Sequence, residues 1–273
     1  MPELPEVETI VRQLRPVIVG KIIADFWSER ENTVFTDSVS DFKEKVRGQQ
    51  ISDVSRRAKM IVLHLDSDKA IGIHLKMSGA LKVVGGDADF DSKYTRAYFT
   101  FKDGNKLIFN DIRRFGKIHF IENYAKWQRK YGIEPLSNDG FTEANLVSIF
   151  KDLKAPIKSV LLNQELIAGI GNIYADEILW SSQIHPAKPA NTLNRQDIER
   201  IFMNTPRILQ TAINANGSTF RNYRDLHGLK GGYMDMANCY GLTGESCKRN
   251  DGGIITRIVL RTRATHFCPI CQK

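Results

Sequence analysis

The first eight residues, Met1-Pro2-Glu3-Leu4-Pro5-Glu6-Val7-Glu8, hold the most reactive group a chain can offer without a cofactor. Once Met1 is removed, the Pro2 nitrogen is a free secondary amine instead of an amide. An α-amino group titrates near ~8, well below a lysine at ~10.4. A useful share is then unprotonated at neutral pH and able to attack a carbon, as amines do when they form Schiff bases. Glu3, Glu6 and Glu8 crowd the same stretch, so a carboxylate is at hand to give or take a proton. The plain alternative is a proline-containing start to a capped helix.

Other stretches suggest contact with a polyanion. Gln164–Tyr174 (QELIAGIGNIY) carries Gly169 and Gly171 just before a helical pattern that restarts at Asn172. Glycines there let the backbone approach another surface and leave N–H groups at a helix start, a common anion site. Read as a strand end, Asn110–Gly116 (NDIRRFG) sets Arg113 and Phe115 on either side of Arg114, pointing the same way if extended. A Phe can wedge between base pairs while an Arg fills space beside it. His74–Gly79 offers Met77 at a turn as another wedge, and Arg56-Arg57-Ala58-Lys59 is either a solvated face or a phosphate clamp.

All four cysteines, Cys239, Cys247, Cys268 and Cys271, lie at the C-terminal end, which suggests metal more than disulfides. Cys268-Pro269-Ile270-Cys271 is half of a zinc ribbon. The other half reads Cys247-Lys248-Arg249-Asn250, with Asn250 where a second cysteine belongs. Cys239, Asp251 and His266 are possible fourth groups, and a metal-free hairpin held by its Ile/Leu face is the competing reading. From Glu245 onward six basic residues face two acidic ones, which favours a DNA-contacting module.

These groups need elements to hold them. The chain has 273 residues, ordinary globular composition and a net charge of +8, favouring polyanion partners. It has no long apolar run and no secretory signal, so a soluble cytoplasmic protein is expected. Val7, Ile10, Val11 and Leu14 form one helical stripe, with Pro5 in the first turn and Pro16 and Gly20 ending the helix. From Ile22 to about Phe120, eight strand patterns follow at short spacing with no intervening helical pattern: Ile22–Ser28, Ile51–Arg57, Met60–Leu65, Ala70–Leu75, Ala80–Val84, Arg96–Phe101, Lys106–Phe109 and Lys117–Ile121. They read as an antiparallel sandwich or barrel, with turn clusters such as Asp66-Ser67-Asp68 and a polar loop at Gly85–Ser92. Composition shifts to turn residues at Tyr131–Gly140. Helical patterns follow at Thr142–Leu153, Ile157–Asn163, Asn172–Ser182 and Arg195–Asn214, then a Gly-rich basic loop at Asn216–Ala237 and a hairpin within Gly244–Lys273.

Taken in order along nearly the whole chain, PELPEVET, RRAK, HLKMSG, DIRRFG, AGIGNIYADEILW and THFCPIC resemble bacterial formamidopyrimidine-DNA glycosylase. The resemblance implies an α+β multidomain fold. A leading helix and antiparallel β-sandwich (1–131) would precede a helix–two-turns–helix domain with a lesion-covering loop (132–237) and a zinc-finger-like β-hairpin (238–273). It implies a monomer acting in the bacterial cytoplasm, at the nucleoid, on double-stranded DNA bearing oxidised purines or abasic sites. Base excision would be followed by strand cleavage. Pro2 would be the nucleophile, Glu3 the acid/base, Glu6 a supporting acid and Lys59 a phosphate contact that assists catalysis. Met77, Arg113 and Phe115 would fill the gap left by the flipped base, Asn172 and Arg263 would bind phosphate, and Ser218, Thr219, Phe220, Arg221, Asn222 and Tyr223 would cover the lesion. Structural Zn2+ would bind Cys247, Cys268 and Cys271, with the fourth ligand missing at Asn250. The alternatives are an endonuclease VIII-like enzyme for oxidised pyrimidines, whose usual start PEGPE differs at Leu4, and a non-catalytic DNA-binding relative.

Overall fold

A computed structural model describes residues 1–66, 68–86, 93–137, 140–220 and 222–273. Ser67, most of the expected loop at Gly85–Ser92, Asn138-Asp139 and Arg221 lie outside the described residues. The chain divides into two compact units, one made of Met1–Lys130 with Ala215–Gly232, the other of Tyr131–Asn214 with Tyr233–Lys273.

In the first unit, helix α1 (Leu4–Ile18) precedes strand β1 (Ile23–Ser28), helix α2 (Val39–Val46) and strands β2 (Ile51–Arg57), β3 (Met60–Leu65), β4 (Ala70–His74), β5 (Gly79–Val84), β6 (Thr95–Phe101), β7 (Lys106–Asp111) and β8 (Lys117–Ile121), then a turn of helix, α3 (Tyr124–Trp127). The strands form two four-stranded sheets, ordered β1-β6-β7-β5 and β2-β3-β4-β8, with every neighbouring pair antiparallel. Phe26, Phe99 and Leu107 of one sheet share a core with Val54, Ile61, Leu63 and Ile73 of the other, which makes the unit a sandwich. The α1 stripe Val7, Ile10, Val11 and Leu14 enters the same core.

Two local expectations change. Pro16 does not end α1, because it lies in the last turn and removes a single backbone donor there; the chain leaves the helix at extended Val19 and turns at Gly20, φ +85°. A helix also interrupts the strand series: Ser38 caps α2 by accepting the Asp41 N–H, and Phe42 and Val46 bury one face. Three apolar residues in a charged stretch gave too weak a stripe to read.

The second unit contains helices α4 (Glu143–Phe150), α5 (Ile157–Leu161), α6 (Asn172–Ser181) and α7 (Arg195–Asn214), and the hairpin β9 (Thr256–Leu260) with β10 (Arg263–Phe267). Ile173 through Trp180 of α6 are all buried, as in a central helix. Ile255 joins Trp180, Cys239, Cys247 and Cys268 in a small core, whereas Ile254 is exposed. The hairpin therefore has no continuous Ile/Leu face, and its cysteine end is its packed end. The Gly-rich segment also divides: residues 215–232 belong to the first unit, and the chain rejoins the second at Tyr233.

Candidate active site

Glu3 sits at the N-cap of α1 in extended backbone, with Pro5 in the first turn. Glu6 Oε2 accepts the Glu3 N–H at 2.7 Å, closing a capping box. Its other oxygen, Oε1, accepts the Ser218 N–H at 2.7 Å and the Ser218 hydroxyl at 3.0 Å. One carboxylate, 1% exposed, thus bolts the chain start to the 215–232 segment. Gly217 allows the approach, because it has φ +82° and an added Cβ would lie 2.9 Å from Glu6 Cγ. Beyond it, Thr219 Oγ1 donates to the Tyr223 carbonyl and accepts the Gly231 N–H. Tyr223 enters the core and its hydroxyl donates to the Glu6 carbonyl at 3.4 Å. Phe220 and Asn222 are exposed, and Arg221 lies outside the described residues.

Pro2 and Glu3 are buried, and Lys59 is only 7% exposed, held in the turn after β2 where Ala58 has φ +54°. Burial lowers the pKa of the terminal amine on Met1. The Glu3 and Glu6 charges oppose that shift, and Lys59 and Arg113 reinforce it. The same few charges therefore surround the chain terminus, and its neutral, nucleophilic form is favoured. Of the basic run, Arg56 is no phosphate clamp: its Nε donates to Glu8 Oε2 at 3.0 Å and its Nη1 to the Ala58 carbonyl, so it braces the turn that presents Lys59.

Met77, Arg113 and Phe115 come together on two turns of the first unit. Arg113 Nη1 lies 3.2 Å from Met77 Sδ, and its guanidinium sits 5.0 Å from the Phe115 ring centre. Met77 and Phe115 are 45% and 50% exposed, a large apolar tip left in solvent. The segment is not the extended one the alternation suggested. The strand β7 ends at Asp111, and Arg114 is left-handed at φ +60°. Asp111 makes the turn by accepting the Arg113 N–H, the Gly116 N–H and the Ser78 hydroxyl.

In the second unit Asn172 opens α6 after Gly171, and its Nδ2 donates to the Ala264 carbonyl at 2.9 Å. This brings it beside exposed Arg263, the first residue of β10. Sequence reasoning missed what holds the pair. Lys158 Nζ donates to the same carbonyl at 2.8 Å and to Thr265 Oγ1 at 2.8 Å, and ion-pairs with Asp176 Oδ1 at 2.6 Å. Asp176 Oδ2 takes the His266 N–H at 2.9 Å and faces His266 Nδ1 at 3.0 Å. Next along, Glu177 accepts the N–H groups of Asn238, Cys239 and Tyr240. The available signal was charge in apolar helices: Lys158 in IKSVL and Asp176-Glu177 in NIYADEILWS.

Cys247, Asp251, Cys268 and Cys271 present ligand atoms all within 4.8 Å of one another, the arrangement of a metal centre. The sequence offers Asp251 as one possible fourth group beside the gap at Asn250. Asn250 turns the chain at φ +55° and the next residue, Asp251, points in. The other two possible fourth groups are engaged elsewhere, His266 with Asp176, and Cys239 beside Glu177, where burial and that carboxylate push its thiol pKa up.

Comparison with known proteins identifies the family. A model of the formamidopyrimidine-DNA glycosylase N-terminal domain matches residues 1–118, and one of the H2TH domain of the same enzymes matches 131–224. The chain belongs to the formamidopyrimidine-DNA glycosylase family. It is 40% identical to the formamidopyrimidine-DNA glycosylase of Chloroflexus aurantiacus over 100% of this chain and 98% of that one. Identity to the Streptococcus pneumoniae R6 enzyme is 37% over 100% and 99%. Among solved structures, Lactococcus lactis Fpg in complex with DNA containing an abasic site superposes with a TM-score of 0.90 at 35% identity, covering 99% of both chains. A mutant of the same protein with DNA containing Fapy-dG gives 0.90 at 35% over 100% of both. The helix–two-turns–helix architecture is thus the family's, formed here by α5, the turns before Gly171 and α6.

Proposed function

We propose that the chain is a base-excision repair enzyme, a DNA glycosylase with AP lyase activity that removes oxidised purines such as 8-oxoguanine and formamidopyrimidines from double-stranded DNA. The reading rests above all on one observation, the buried chain start in which Glu6 joins Glu3 to Ser218. A reactive terminus needs such anchoring, because near-attack geometry requires both partners to be held. Loss of Met1 frees Pro2 nitrogen as a secondary amine at the buried chain start. That amine bonds to C1′ of the flipped nucleotide, the base departs with the electrons of the glycosidic bond, and the proton released from the Pro2 nitrogen goes to the departing base. Glu3 protonates the sugar ring oxygen, the ring opens, and an iminium on Pro2 remains for strand elimination.

Lys59 supplies positive charge for a phosphate beside the lesion. Flipping a base costs a few kcal/mol, and the Met77–Arg113–Phe115 tip offsets that cost by filling the gap. Residues 218–223 cover the extruded base, with Glu6 fixing the start of that cover. Asn172 and Arg263 bind backbone phosphate, positioned by the Lys158–Asp176–His266 network. Cys247, Cys268 and Cys271 would hold a structural zinc ion, and that cross-link would rigidify the strand carrying Arg263. The enzyme acts as a monomer in the bacterial cytoplasm, and among the described residues no helix is long and apolar enough to cross a membrane.

The deciding experiment is excision from a panel of duplexes, each with one lesion. Oxidised purines should be released faster than oxidised pyrimidines. The reverse order favours the endonuclease VIII-like reading, and release of neither with intact binding favours the non-catalytic one.

A further inference from the structure

We propose that the carboxylate of Asp251 is the fourth ligand of the hairpin metal, giving this chain a three-thiolate, one-carboxylate zinc site. The inference rests on the zinc reading above. Its ground is the fit of the donor set to tetrahedral zinc. With Zn–S near 2.3 Å and Zn–O near 2.0 Å, a tetrahedron sets two sulfurs about 3.8 Å apart and a sulfur and an oxygen about 3.5 Å apart. Cys247 Sγ lies 3.9 Å from Cys271 Sγ, and Cys268 Sγ lies 3.5 Å from Asp251 Oδ2.

The loop is built to bring a carboxylate to that corner. Cys247 and Asp251 are separated by three residues where a zinc knuckle separates its ligands by two. The extra residue is absorbed by Asn250, whose N–H donates to the Cys247 carbonyl and whose left-handed backbone redirects the next side chain inward. Asp251 Oδ1 accepts the Gly253 N–H at 2.8 Å. That bond fixes the carboxylate and leaves Oδ2 as the metal-facing oxygen, the division of labour found around ligating carboxylates. Gly253 must be glycine, because an added Cβ would collide with Cys268 Sγ and lie 2.8 Å from Asp251 Oδ1. Asp conserves the single negative charge of a thiolate but is a harder donor, so the site discriminates against soft metals more than four thiolates would.

The test measures metal binding by the full-length protein, using Zn2+ for stoichiometry and affinity and Co2+ for its spectrum. Wild type should bind one equivalent of Zn2+. Asp251→Ala should weaken binding by at least ~10-fold, the lower end of what loss of even an outer partner costs. Asp251→Cys should retain the metal and raise the thiolate-to-Co2+ charge-transfer intensity by about one third, the step from three sulfur ligands to four. Should Asp251→Ala lose its fold, the Asp251→Cys spectrum decides alone. Unchanged affinity in Asp251→Ala, or an unchanged Co2+ spectrum in Asp251→Cys, overturns the assignment of Asp251 while leaving a zinc hairpin standing. Absence of metal from wild type overturns both.

Discussion

Each unit buries a pair of acidic residues on one helix, Glu3 and Glu6 at the start of α1 and Asp176 and Glu177 in the middle of α6, and the two pairs are neutralised differently. In the second unit Asp176 and Glu177, at most 1% exposed, are filled by partners. Asp176 takes Lys158 and His266, and Glu177 takes three backbone N–H groups in succession. In the first unit Glu6 is satisfied in the same manner, by Glu3 and Ser218, while Glu3, which accepts the Glu6 N–H in the capping box, also lies near the titratable terminal amine. A carboxylate saturated by N–H groups positions a segment. One set against an amine of lowered pKa can exchange protons with it or with whatever the amine attacks. Three of these four carboxylates thus hold loops or strands in place, and the fourth, Glu3, is the one we propose for chemistry.

The sharpest way to break this contrast is to neutralise the carboxylates one at a time. Glu3→Gln should lower base excision by about 10²–10⁴-fold, the usual worth of a general acid/base. Its thermal unfolding should stay close to wild type. A large drop in stability with modest loss of rate would move Glu3 into the positioning class. Lys158→Met should do the opposite. Removing one partner of a buried ion pair costs about 3–5 kcal/mol, so calorimetry should show a strongly lowered unfolding temperature. Trapped or single-turnover chemistry per DNA-bound molecule should change little.

A smaller effect separates burial from partnership. Burial, then the Lys76 charge, pushes the His74 pKa from its ordinary 6.5 down to about 3, while its Nδ1 accepts the Lys76 N–H at 3.0 Å. Between those values the unfolded chain binds a proton that the fold does not, so stability falls as pH drops from about 6.5 towards 3. His74→Asn keeps an acceptor and removes the titration. Its midpoint in urea should fall less than that of wild type between pH 7 and pH 4.5; parallel curves would assign the acid sensitivity elsewhere.

What could be read from sequence divides along the same line. Strands β2, β3 and β8 and helix α7 follow their apolar patterns to the residue, because burial of one face dictates them. Pro2, Glu3, Lys59, Met77, Arg113 and Phe115 stood out by type and motif, since chemistry and wedging need particular side chains. The partners that hold them did not. Glu6 with Ser218, Lys158 with Asp176, and Arg56 with Glu8 are long-range pairs whose pairing shows only once the fold closes around them. The fourth metal-site residue was obscured for a local reason. The sequence offers Asp251 as one of three possible fourth groups, and only the left-handed backbone of Asn250 singles it out.

In the proposed mechanism Pro2 is the nucleophile. Reaction of the purified enzyme with an 8-oxoguanine duplex in borohydride tests it directly, because reduction fixes any imine in place. The account predicts a covalent protein–DNA adduct whose modified peptide begins at Pro2, on a chain that lacks Met1. An adduct mapped to Lys59, or full excision and strand cleavage by a chain that retains Met1, would contradict it.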